Sequence, residues 1–156
     1  MRDRLGLRRR YALMPCGSAA LVTAYVVYQS LSFTERALLI EVLREMGYGP
    51  TWSDNVDDVN STPVHDDSGR VVAGAAIVIS SGLPSGFGEL GFARLDEAYV
   101  PIVPADVRAE EIMRSVRAAY GRAHAGRIAS QAKRRYNGTI RLAGTTDGAI
   151  TIRVRF

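Results

Sequence analysis

The hydrophobic pattern of this chain changes period along its length, and that change restricts the fold more than any other feature. Leu38, Leu39, Val42, Leu43 and Met46 recur at helical spacing, which places an apolar face on a helix over 32–46. Ser32 followed by Glu35 predicts a capping box at its start, and Gly47 with Pro50 beyond it predicts its stop. β-Branched and aromatic runs predict strands over 21–29, 71–79, 90–95 and 98–103. A second helical region spans 105–136, with Ile112, Met113, Val116, Ala119, Tyr120 and Ala123 on one stripe. Ile128, Ala132 and Tyr136 lie around the wheel from that stripe, and Gly121 and Gly126 at the change of face predict a kink or a break. The pattern predicts a single α+β domain over 21–156, mainly an antiparallel sheet with both helical regions on one face and a C-terminal β-hairpin. Residues 1–20 read as a flexible basic tail, and 53–69, with five aspartates, as a solvated loop that does not pack.

The final hairpin carries a register argument. Ile140 and Leu142 alternate with Arg141, while Ile150, Ile152, Val154 and Phe156 alternate with Thr151, Arg153 and Arg155. Opposed residues share a face, so even-numbered positions pair with even-numbered positions. A three-residue turn, Thr146-Asp147-Gly148, satisfies that parity with Gly148 in the left-handed position, whereas a two-residue turn does not. Arg141 is then expected opposite Arg153 and near Arg155.

Charge is partitioned as sharply as periodicity. Residues 112–156 hold ten basic side chains against one acid, Asp147, whereas 11–111 hold fourteen acids against five basic residues. The formal net charge of +4 therefore conceals two opposed blocks.

At 156 residues and 47% hydrophobic composition, the chain can bury roughly 70% of its unfolded surface in one core. Cys16 is the single cysteine, which excludes an internal disulfide and a cysteine-rich metal site and makes a cytoplasmic setting the default expectation. The apolar stretch 11–28 is broken by Pro15, Cys16, Gly17 and Ser18, so neither a secretory leader nor a membrane span is expected.

Four short segments carry a resemblance: Glu45-Met46-Gly47-Tyr48, Glu89-Leu90-Gly91-Phe92 followed by Tyr99, Arg117-Ala118-Ala119-Tyr120, and 147–154 from Asp147-Gly148 to Arg153-Val154. Over residues 22–156 the chain resembles a family of small uncharacterised proteins, a domain of unknown function, encoded in cyanobacteria and red-algal plastids. The resemblance implies a small α+β fold and supplies no catalytic residue.

Residue patterns for catalysis are absent, so a nonenzymatic protein without metal or cofactor is expected. His65 and His124 are not at metal-ligand spacing, the aspartates of 53–69 do not follow a calcium loop, and 82–88 lacks phosphate-loop spacing and a lysine. Three readings of the charge remain. In one the arginines are simply solvated, Glu110 pairs with Arg114, and the acidic loop folds over the basic hairpin. In the second, Arg127, Lys133, Arg134, Arg135, Arg141, Arg153 and Arg155 form an RNA or single-stranded DNA surface. In the third, the favoured one, the chain is an interaction or assembly protein that docks on a protein partner or on itself, with Trp52 as an exposed anchor.

Overall fold

A computed structural model of the chain describes residues 24–55, 57–136, 139–146 and 149–155. The described elements are α+β: a five-stranded antiparallel sheet, two helices and two further two-stranded sheets. The main sheet runs β1 (Tyr25–Val27), β7 (Ala98–Pro104), β6 (Leu90–Leu95), β5 (Ile77–Ser81), β2 (Gly49–Trp52).

Alternation along these strands builds two cores. Ile77, Ile79, Leu90, Phe92, Tyr99 and Val103 face helix α1 (Arg36–Glu45) and helix α2 (Val107–Tyr136). Their neighbours Val78, Ala93 and Ile102 face the other way and pack on Val64 and Ala75. Those two residues belong to a ribbon of β3 (Thr62–His65) and β4 (Val71–Ala75). The expected solvated loop over 53–69 is therefore corrected: its second half is a strand, with Val64 fully buried. Five aspartates mark where the segment meets water, but Thr62 and Val64 suffice to seat a short strand on a sheet face already lined with methyl groups. Instead of one covered face, the sheet has helices on one side and a ribbon on the other.

The predicted strand over 71–79 is likewise two strands. The chain leaves the ribbon at Ala75 and enters the main sheet at Ile77, and the Ala76 N–H bonds the Phe92 carbonyl at 2.9 Å. Gly91, across the sheet, makes the close approach possible: a Cβ there would lie 2.7 Å from Val64 Cγ2 and 3.0 Å from the Ala75 Cβ.

Helix α1 stops as predicted. Gly47 takes φ +86°, its N–H bonds the Arg44 carbonyl, and the Tyr48 N–H bonds the Leu43 carbonyl. Its start differs from the capping-box expectation. Phe33 bridges Tyr99 in the sheet, the N-cap residue is Glu35, and no side chain of the helix's own first turn caps it. Helix α2 is continuous over 30 residues, about 45 Å. Gly121 and Gly126 do not break it, because packing along Met113, Val116 and Tyr120 outweighs a ~1 kcal/mol propensity cost per glycine.

Strands β8 (Thr139–Thr146) and β9 (Ala149–Arg155) pair with each other and contact α2. Ile140 pairs with Val154, Leu142 with Ile152 and Arg141 with Arg153, as the parity argument requires. The register then shifts between Ala143 and Thr146, and Thr146 pairs with Ala149. The irregularity that reconciles the two arms thus lies within β8, not in a three-residue turn; Asp147 and Gly148, like residues 137–138 and 1–23, lie outside the described residues. No described helix is long and apolar enough to cross a membrane.

Candidate interaction surface

The cations of α2 divide by what surrounds them. Arg127 faces α1, where its guanidinium bonds Glu35 Oε2 at 3.2 Å and also Glu41 Oε2. His124 Nε2 lies 3.1 Å from Glu35 Oε1, and its ring stacks on Tyr120 at 5.9 Å. This network ties the two helices together, so Arg127 is committed within the chain. Arg114, Arg117 and Arg122 are exposed on the outer side of α2, and among the described residues no carboxylate lies within ion-pair distance of them. Lys133, Arg134 and Arg135 are exposed at the end of the helix. Arg134 also reaches a groove of about 510 Å³ between the helices, lined by Glu41 and Glu45 on one wall and Arg127 on the other. Arg141 and Arg153 oppose each other in backbone register, and Arg155 pairs with Thr139.

Glu110 does not take Arg114 as its partner; it accepts the Tyr28 hydroxyl at 2.9 Å, which raises the pKa of that phenol. Trp52 is not an exposed anchor either. It packs half-buried against the main core on β2, with the Arg44 guanidinium 5.0 Å above its ring.

Five aspartates lie on the ribbon and on the connection into it. Asp57, Asp58 and Asp67 are exposed. Asp66 is buried and fully occupied: its Oδ1 accepts Ser68 Oγ–H at 2.6 Å, the Arg70 N–H at 2.8 Å and the Ser68 N–H at 3.0 Å. The Ser68 hydroxyl bond, then the backbone bond from Arg70, hold its carboxyl below the ordinary range. Beside it, Glu89 Oε2 accepts the His65 N–H and lies 2.7 Å from His65 Nδ1. The Tyr25 hydroxyl lies 3.1 Å from the carbonyls of both His65 and Glu89, which share its single hydrogen. Burial, and then the charges of Asp66, Asp67 and Glu89, raise the pKa of that phenol. These bonds latch the tip of the ribbon to β1 and to the start of β6. At the other end of the ribbon the Asn60 side chain bonds both the N–H and the carbonyl of Arg94. Among the described residues no three or more His, Cys, Asp or Glu side chains are grouped to hold a metal ion.

Linear spacing carries no signal for the long-range contacts, which run from His65–Glu89 at 24 positions to Glu35–Arg127 at 92, whereas Asp66 bonds Ser68 and Arg70 within its own turn. No protein-family model, curated protein or solved structure matches the chain. The sequence resemblance therefore assigns no role to any residue.

Proposed function

We propose that this chain is a nonenzymatic interaction and assembly protein that docks the basic outer side of α2 on an acidic protein surface, in the first instance the ribbon side of a second copy. One observation carries the reading: the five-stranded sheet stands between the exposed cations of α2 and the acids at the ribbon tip, of which Asp67 is exposed. A helix layer, a sheet and a ribbon packed face to face separate the two sets by roughly 20 Å, about twice the screening length at physiological salt. The ribbon-tip acids cannot reach the outer side of α2 within one chain, whereas head-to-tail contact between copies brings Arg114, Arg117 and Arg122 to them. Arg127 lies outside this surface because its charge is already used.

The test is solution mass by analytical ultracentrifugation, at low and high salt, with and without nuclease. A nuclease-resistant species heavier than the monomer, dissociated by salt and lost in the triple variant Arg114→Glu, Arg117→Glu, Arg122→Glu, is the expected result. A heavy species that nuclease collapses assigns the basic surface to RNA or single-stranded DNA instead, and a monomer under every condition overturns the assembly reading.

A further inference from the structure

A second positive site lies at the start of α1. A cavity of about 140 Å³ opens between the start of α1, the segment after β2 and the β6–β7 pair, lined by Arg36, Ser53, Asn55, Arg94 and Tyr99. Arg36 is the first residue of α1, and Arg94 stands directly across the sheet from Tyr99. The Arg36 guanidinium spends one nitrogen on the Ser53 carbonyl at 3.3 Å and on Asp54 Oδ1 at 3.1 Å. Its Nε is buried and has no hydrogen-bond partner. An ionised donor left without an acceptor is costly, and the fold supplies none.

The rest of the lining is biased the same way. Arg94 Nε bonds the Asp96 carbonyl at 3.3 Å, which leaves the terminal amino groups of its guanidinium for another acceptor. Ser53 Oγ accepts the Asn55 N–H, and Asn55 Oδ1 accepts the Asp57 N–H. Each oxygen thereby uses one of its two lone pairs, and the Ser53 hydroxyl hydrogen and the Asn55 amide nitrogen remain as donors. Two guanidinium groups against one carboxylate, Asp54, give the cavity a net positive charge. At about 140 Å³ the cavity has room for a few waters or a single oxyanion group.

We infer that this cavity is a binding site for a small oxyanion, a phosphate or carboxylate group, held between the Arg36 and Arg94 guanidinium groups. Planar guanidinium groups bind such oxygens through paired charge-assisted bonds. The site is independent of the assembly reading, since none of its residues lies on α2.

Trp52, the single tryptophan of the chain, immediately precedes Ser53 and serves as the reporter. Inorganic phosphate and, separately, acetate are titrated against Trp52 fluorescence and the thermal midpoint, with ionic strength held constant by chloride. A saturable response to either anion that chloride does not reproduce is expected, with its midpoint raised at least tenfold in Arg94→Gln and in Arg36→Gln. Saturation by phosphate, by acetate or by both identifies which oxyanion the site prefers. Arg36→Gln also removes the Asp54 ion pair; should that variant fail to fold, Arg94→Gln, whose side chain is exposed, decides the matter alone. A response that never saturates, that chloride matches, or that Arg94→Gln leaves unchanged overturns the site.

Discussion

The hydroxyl of Tyr120 accepts the backbone N–H of Glu35 at 2.9 Å, across 85 positions of sequence. It also accepts the N–H of Thr34 at 3.2 Å. A residue of α2 thus performs the service that a serine or aspartate at the N-cap performs in most helices, and the start of α1 exists in this form only when α2 is docked. Tyr120→Phe keeps the edge-on packing against Phe33, at 5.0 Å between ring centroids, and deletes the acceptor. The expected cost is about 1–2 kcal/mol, read by urea denaturation. No measurable loss would mean that water replaces the phenol without penalty.

Gly91 is where the ribbon touches the sheet. In Gly91→Ala the new methyl group meets Val64 Cγ2 and the Ala75 Cβ, and Ala75 cannot yield without moving its backbone. Overpacking of this kind costs about 1–3 kcal/mol. Faster amide exchange over 62–75, with α1 and α2 unaffected, is the matching local signature; uniform exchange changes would show that the ribbon is not a separate layer.

Gly126 is the converse case. A Cβ at that position meets nothing within 4 Å, and the residue lies inside α2. Gly126→Ala is expected to stabilise the protein by about 0.5–1 kcal/mol, seen as a rise in thermal midpoint. A fall would reveal an unseen neighbour on that face.

The ribbon tip carries a pH dependence through Asp66. Its folded pKa lies below the ordinary carboxylate value, chiefly because of the Ser68 hydroxyl and then the Arg70 N–H. The unfolded chain therefore binds the proton first as pH falls, and the stabilisation present at neutral pH declines from about pH 4 downward, disappearing below the folded pKa. Asp66→Asn should be less stable than the parent at pH 6, with the gap closing toward pH 2.5 in thermal melts. A gap constant across that range would assign the effect to lost hydrogen-bond geometry rather than to the charge.

Periodicity was enough to locate α1, β6, β7, the extent of α2 and the pairing of Ile140 with Val154 and Leu142 with Ile152, because each is dictated by how side chains alternate within one segment. The α1 stop was legible for the same local reason: Gly47 accepts a positive φ that a side chain resists. The charge partition, too, is a property of composition alone. Everything that depends on two distant segments meeting was decided by the tertiary structure. Val64 reads as one valine in an acidic stretch until the methyl-lined face of Val78, Ala93 and Ile102 makes its burial favourable, and the Ala76 bend follows from that docking. Glu35 reads as the partner of Ser32 until His124 and Arg127 draw its carboxylate toward α2 and the Tyr120 hydroxyl takes its N–H. The Arg36 and Arg94 guanidinium groups are 58 positions apart in the chain and share a cavity only because α1 crosses the end of the β6–β7 pair. Local sequence sets which conformations are cheap for each segment; which donors, acceptors and methyl groups each segment meets is a property of the folded whole, where burial and hydrogen bonding outweigh the ~1 kcal/mol scale of local preference.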